Sequence, residues 1–298
     1  IMGRYAPDIA LKNDLLRTLL NDEPTAKPLK IFANERESYF SKETLEVTND
    51  EKRLGKVIVL KNITPFHDLD QAKTNFIATI SHELKTPISS IKMSLKLLEN
   101  ERIGNLNSEQ QQLVTQIQED SQRLLKITGE LLDLSQVETG NLQLNFRNVS
   151  PTEIVTPAVE ALQFFASQKQ IDIQLSRPDI LPAVYADSDK TTWVLLNFLS
   201  NAIRHSPEKS IIEVEITPNL TSNYLEFSVK DVGKGIDPKY QQRVFERYFQ
   251  VPSNGQSKSG TGLGLAISKE FIEAQKGNIG VESEIGLGSR FWFQLPVA

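Results

Sequence analysis

Two stretches of the chain repeat apolar residues at helical spacing. From residue 66 to 98, Ile77, Leu84, Ile91 and Leu98 recur every seventh position, and Ile80, Ile88 and Leu95 fill the adjoining stripe. A face this broad predicts a long helix that packs on more than one neighbour. Gly104-Asn105 marks a turn, and Ser108 is the expected N-cap of a second helix. That helix carries Leu113, Ile117, Leu124, Ile127, Leu131 and Leu134, and Gly140 is placed to end it. The two form an antiparallel hairpin. Neither stripe is covered by the other alone, so the expected product is a homodimer with a four-helix bundle; packing onto the C-terminal domain is the alternative.

The flanking regions read differently. Residues 1–64 combine a helical stretch at 11–20 with strand-like runs at 29–33, 39–48 and 56–63. This is a small α/β module, too short for a large core, closed by Pro65. Residues 149–298 hold a predicted helix at 192–204 and strands at 211–216, 224–229, 279–283 and 290–295, an α+β layered domain. The polar run 252–260 lacks apolar periodicity and reads as a mobile loop, where a lid over a ligand would sit. The expected architecture is multidomain, α and α+β, divided at 1–64, 65–148 and 149–298.

Composition narrows the function classes. Net charge is −5 with no basic block, so nucleic acid is not an expected partner. The absence of cysteine excludes disulfides and thiolate metal sites and fits a reducing compartment. No apolar run approaches the roughly 18 residues that span a bilayer. The expected location is cytoplasmic. The abrupt start at Ile1-Met2-Gly3 suggests a fragment, so a longer parent anchored in the inner membrane through absent segments remains an alternative.

Several residues can carry chemistry. With Ile77 and Leu84 at heptad position a, His82 falls at the outward f position and Thr86 follows one turn later on the same face. An outward histidine here has no packing purpose, though a plain surface residue is the competing reading. Glu83 can accept from Nδ1–H, leaving Nε2 free to attack. Pro87 removes a backbone donor and should bend the helix. Asp231-Val232-Gly233-Lys234-Gly235 follows a strand; its Asp can accept from an exocyclic amine such as adenine N6, or the segment is an ordinary turn. Gly260-Thr261-Gly262-Leu263-Gly264 ends the polar loop and opens a helix, so backbone N–H groups and the helix dipole can meet phosphates. It follows no strand and lacks a Gly-Lys-Ser/Thr ending, which argues against dinucleotide folds and P-loops. Asn197 and Asn201 share a helix face and suit Mg²⁺ that draws its charge from phosphates, or they cap loops. Arg204 and His205 could face phosphate and base, while Phe245, Tyr248 and Phe249, at helical spacing, read as core or lid anchors.

In this order the segments resemble the sensor histidine kinases of two-component signalling. Residues 81–87 (Ser-His-Glu-Leu-Lys-Thr-Pro) look like the H-box and 197–207 like the N-box. Residues 231–235 match the G1 box, 245–249 the F-box and 260–267 the G2 box. The resemblance covers about 66–298 and implies a GHKL-type ATP-binding domain behind a dimerisation and phosphotransfer hairpin. It implies His82 as phosphoacceptor, Glu83 as its hydrogen-bonding partner, and Thr86 as the residue orienting water for dephosphorylation of a response regulator. Asn201 with Asn197 would hold Mg²⁺ and phosphates, Asp231 would read adenine, and 260–264 would line the lid. Arg204 stands where the family often has Lys, and Gln250 where it often has a basic residue, which bears on γ-phosphate steering. Residues 1–64 resemble the C-terminal part of a PAS sensor module, with Asn62 replacing Asp in the Asp-Ile-Thr junction.

The implied reaction is autophosphorylation of His82 from Mg-ATP, then transfer to an aspartate on a receiver domain, with phosphatase activity toward that regulator. It requires a hinge near 140–151. The loop near 103–107 governs whether ATP reaches its own or its partner's His82. Gyrase-like and chaperone ATPases place a general-base Glu where Asn197 stands, and an amide cannot take that proton. A dimeric scaffold with a degenerate site is the non-enzymatic rival.

Overall fold

The structure is a computed structural model that describes residues 28–33, 36–49, 52–100, 102–139, 142–219, 223–252 and 260–298. The helix expected at 11–20, residues 253–259 of the expected lid, and the start of the expected hinge at 140–141 lie outside the described residues. The chain divides into two compact units, Ile1–Phe76 and Ile77–Ala298.

In the first unit, β1 (Leu29–Ala33), β2 (Arg36–Asn49) and β3 (Lys52–Asn62) form an antiparallel sheet in that order. Leu45, Val47, Val57 and Val59 remain exposed on it. The start of helix α1 (Thr64–Leu98) is fixed onto β2. Thr64 N–H donates to the Asn62 side-chain oxygen at 2.9 Å, and Tyr39 N–H donates to Thr64 Oγ1 at 2.8 Å. The His67 ring stacks on Tyr39 with centroids 3.5 Å apart. An amide oxygen accepts as a carboxylate does, so Asn62 still makes the local turn expected of Asp at this junction.

The second unit begins with the hairpin. Helix α2 spans Ser108–Glu138, and its N-cap is Asn107 rather than Ser108. Gln110 N–H donates to Asn107 Oδ1 at 2.8 Å, and Asn107 N–H donates back to Gln110 Oε1 at 2.9 Å, a reciprocal box that Ser108 cannot make from inside the helix. Asn107→Ala is expected to destabilise the hairpin by about 1 kcal/mol, read as a lowered midpoint in thermal melting. The C-cap is Thr139, one residue before the expected glycine.

The seam inside the hairpin is not the stripe of strict sevens. Ile88 and Leu95 on α1 are buried with Val114, Ser121 and Thr128 on α2. Ser81 Oγ donates to the Thr128 carbonyl at 3.1 Å. Leu84, Ile91 and Leu98 stay exposed, as do Leu113, Ile117 and Leu124.

Beyond the hairpin, β4 (Arg147–Val149) pairs antiparallel with β6 (Val184–Ala186). The main sheet holds β5 (Asp172–Ser176), β7 (Ile211–Asn219), β8 (Tyr224–Asp231), β10 (Gly288–Pro296) and β9 (Asn278–Glu284), in that spatial order. Only β5 and β7 run parallel. Helices α3 (Pro151–Gln168), α4 (Ser188–His205) and α6 (Gly264–Ala274) supply the apolar residues for one sheet face, and the short α5 (Pro238–Gln241) precedes α6 in the chain. Alternate residues Ile212, Val214 and Ile216 on β7 and Leu225, Phe227 and Val229 on β8 point to them. On α4, Val194, Leu195, Phe198, Leu199 and Ala202 answer at helical spacing. The opposite face is polar, with Lys230 paired to Glu213 at 2.9 Å and Arg290 to Glu226. A two-layer α/β sandwich results, and its helix layer ends at one common edge where β8, α4 and the start of α6 meet.

Candidate functional site

At that edge lies a cavity of about 790 Å³. Asp231, the last residue of β8, is buried in its wall. Its Oδ1 accepts from Gly233 N–H at 2.8 Å and Ser289 N–H at 3.3 Å. Burial pushes the Asp231 carboxyl above the usual carboxylate range, and the two backbone donors pull it part of the way back. Gly235 closes the turn at φ +71°, where a Cβ would stand 2.0 Å from the Glu284 carbonyl oxygen. No side chain fits there, so the chain passes directly under the β9–β10 turn.

Helix α4 contributes Asn197, Asn201, Arg204 and His205. Asn197 is buried, and its Nδ2 donates to Ser268 Oγ at 3.0 Å. Gly264 lies so close that a Cβ would be 2.6 Å from Asn197 Oδ1. Asn197 therefore joins α4 to the start of α6. Asn201 lines the cavity half-buried and makes no side-chain hydrogen bond among the described residues. Desolvation against the wall, reinforced by the Arg204, Lys234 and Lys169 cations, holds His205 below the usual imidazole range. His205 thus faces the cavity as a neutral ring at pH 7.

The glycine loop brings Gly260, Thr261, Gly262 and Gly264 to the cavity at the N-terminus of α6. Leu263 does not reach it: the side chain is buried in the apolar core and anchors the loop from behind, while Leu265 takes the lining position. Gly233 likewise shapes the wall without lining it, through its contact with the Asp231 carboxylate. The aromatic segment is not helical throughout. A 3₁₀ turn at Arg243–Phe245 ends before Tyr248, which has φ +62°. Phe245 and Phe249 pack against the core, and the Arg243 guanidinium lies 4.3 Å from the Phe249 ring centre. Tyr248 N–H donates to the Gly262 carbonyl at 2.9 Å, and Gln250 Nε2 donates to the Gly260 carbonyl at 2.9 Å. Both tie the aromatic segment to the glycine loop.

His82, Glu83 and Thr86 stand apart from the cavity on α1. The His82 side chain is 81% exposed, and its Nδ1 is 3.6 Å from Glu83 Oε1, beyond hydrogen-bonding distance. Thr86 Oγ1 donates to the His82 carbonyl at 3.4 Å. Helix α1 runs through Pro87, whose missing N–H leaves the Glu83 carbonyl without its usual donor.

Sequence reasoning missed Ser289, Lys234, Lys126 and Glu130, all of which line the cavity. Among the described residues, no group of three or more His, Cys, Asp or Glu could hold a metal, and no helix is long and apolar enough to cross a membrane.

Residues 72–140 match the model of the His Kinase A (phospho-acceptor) domain, and residues 186–298 match that of the histidine kinase-, DNA gyrase B- and HSP90-like ATPases. The alginate biosynthesis sensor protein KinB of Pseudomonas aeruginosa is 30% identical over 244 residues, covering 82% of this chain and 40% of KinB. The sensor histidine kinase WalK of Bacillus subtilis is 31% identical over 243 residues, covering 81% of this chain and 39% of WalK. Among solved structures, full-length ShkA in complex with AMPPNP has a TM-score of 0.62 at 30% identity, covering 75% of this chain and 46% of ShkA. The chain thus spans about two fifths of the length of these curated relatives. With a phospho-acceptor domain followed by an ATPase-like domain, and with relatives of one kind along about four fifths of its length, the chain belongs to the sensor histidine kinases.

Proposed function

We propose that this chain, as a homodimer, phosphorylates His82 from Mg-ATP and passes the phosphoryl group to an aspartate of a response-regulator receiver domain. The observation that carries the reading is the cavity itself: a buried acceptor, Asp231, at one end and the glycine-lined start of α6 at the other. Asp231 keeps one carboxylate oxygen for an adenine amine, because the other is held by Gly233 and Ser289. Backbone donors of 260–264 and the positive end of α6 suit the phosphates, with Arg204 beside them. Between the asparagines, Asn201 is the better Mg²⁺ candidate, since the Asn197 oxygen is packed against Gly264 and its amide is fixed by Ser268. Bound there, Mg²⁺ would neutralise charge on the phosphates. Asn197, held in that contact, cannot act as the general base of a water-activating ATPase.

The acceptor suits its role by exposure. An imidazole on an open helix face can be approached in line by a separate domain, and phosphoryl transfer asks mainly for positioning and charge neutralisation. The exposed Leu84, Ile91, Leu113, Ile117 and Leu124 give the hairpin an apolar face that a second copy would cover. Thr86, a turn beyond His82, is placed to orient water for regulator dephosphorylation. Residues 1–64 act as a PAS-like sensor segment, 65–148 as the dimerisation and phosphotransfer hairpin, and 149–298 as the ATP-binding domain. Incubation with Mg²⁺ and γ-labelled ATP should leave a label stable in alkali and labile in acid, the signature of a phosphoramidate. An acid-stable label, or none with ATP bound, overturns the reading.

A further inference from the structure

Glu130 occupies a position where a carboxylate has no packing role. It sits three residues after Ile127 and four before Leu134, in line with the apolar stripe of α2, and is 3% exposed. It lines the nucleotide cavity together with Lys126, although both come from the hairpin. Its Oε2 accepts a hydrogen bond from Thr261 Oγ1 in the glycine loop, and its Oε1 lies 3.7 Å from Lys126 Nζ. Further polar ties hold α2 to the same domain: Asp133 to Lys190 at 2.9 Å, and Glu138 to Arg247 at 2.6 Å. Leu134 completes the contact by entering the domain's apolar core.

The loop that Glu130 holds is the one whose backbone donors would receive phosphates. A buried carboxylate and a polyphosphate repel each other strongly at such range, where little water screens them. The Thr261 hydroxyl has a single proton to donate. We propose that Glu130 is an anionic gate on the nucleotide site: its docking on Thr261 and the binding of a nucleoside triphosphate exclude each other. Loading the site then releases α2 from the glycine loop, which frees the ATP-binding domain to move. The inference rests on the nucleotide reading above. By linkage, docking weakens triphosphate binding by the same factor that triphosphate weakens docking. Because charge carries the exclusion, it grows with phosphate number and vanishes for adenosine. Lys126, freed from Glu130, is left facing the incoming phosphates.

Glu130→Gln keeps the shape and the acceptor for Thr261 but removes the charge. In calorimetric titration of the full chain with Mg²⁺ and a non-hydrolysable ATP analogue, the variant should bind roughly 5- to 10-fold tighter, at the low end of the usual range of coupling between sites. Adenosine should bind both proteins equally. Equal analogue affinity, or an equal gain for adenosine, overturns the gate while leaving the nucleotide reading intact. Failure of both proteins to bind any nucleotide would instead sink that reading and the gate with it. The chain contains no cysteine, so spin labels at Gln122→Cys and Glu215→Cys, both exposed sites, report the distance from α2 to the sheet. Saturating analogue should shift or broaden that distance in the otherwise unaltered protein. An unchanged distance at saturation overturns the gate.

Discussion

His82→Gln is expected to reduce labelling by γ-labelled ATP to background while nucleotide binding stays that of the parent protein. The chemistry requires a nitrogen lone pair outside the conjugated system. Imidazole Nε2 has one, whereas the glutamine amide nitrogen shares its own with the carbonyl and is no nucleophile. The structure separates the two readouts. His82 stands on α1 with its side chain 81% exposed, and the cavity is lined without it, so the substitution leaves the cavity wall unaltered. Stability should hardly change, because an exposed f-position side chain makes no core contact. Label persisting at the parent level would move the acceptor elsewhere on the chain. Loss of both label and binding would mean that His82 supports the fold of the site, contrary to its exposure. Mixed dimers with a second, nucleotide-deficient protomer extend the experiment. Label on the His82-bearing, nucleotide-deficient protomer would show that ATP held by one chain reaches the histidine of the other.

Much of this arrangement was legible in the sequence where local chemistry dictates it. The Asp231–Gly235 segment needs glycine at a positive φ against a neighbouring carbonyl, a local demand that leaves a local signature. The helical hairpin was legible from its sevens, yet the seam was not. Residues 77, 84, 91 and 98 form the most regular stripe, but the hairpin closes on Ser81, Ile88 and Leu95 instead. Periodicity tells that a face is apolar; it does not tell which neighbour covers it. Helix α3 escaped notice although Ser150-Pro151-Thr152-Glu153 is a start signal, with Glu153 accepting from Ser150 N–H at 3.2 Å. Pro157 inside the helix and the exposed Phe164 and Phe165 blurred its apolar face. The strands β4 and β6, three residues each, are too short for alternation to show. Glu130 left a trace, a charge on an apolar stripe, but its partner Thr261 is 131 residues away, and only the folded chain joins them. Leu263 shows the converse: it sits inside a glycine motif, yet its side chain serves the core.

Asp231→Asn should weaken binding of ATP analogues and of adenosine alike by about 10- to 100-fold, the loss of one hydrogen bond to a charged group. Asparagine can still accept from Gly233 and Ser289 through its oxygen, so the turn survives. Its amide then presents N–H groups to the adenine amine, donor against donor. The same substitution should stabilise the nucleotide-free protein, and the sign follows from linkage. Burial raises the Asp231 carboxyl in the folded state. A raised acid favours folding below its unfolded value and loses that contribution as pH rises through the folded value. At neutral pH the parent therefore carries an ionised, desolvated carboxylate that asparagine does not. Thermal melting without nucleotide should show the variant ahead at pH 7, with the gap closing in acid as Asp231 becomes neutral. Binding should show the complementary trend. Parent affinity falls as acid protonates Asp231, beginning at a higher pH than for a solvated aspartate, whereas the variant loses nothing at that step. A variant less stable at pH 7, or a parent affinity indifferent to acid through the raised range, would separate Asp231 from adenine recognition. The residue is kept at a thermodynamic disadvantage in the empty domain because only an ionised carboxylate offers the nucleotide an acceptor that cannot also donate.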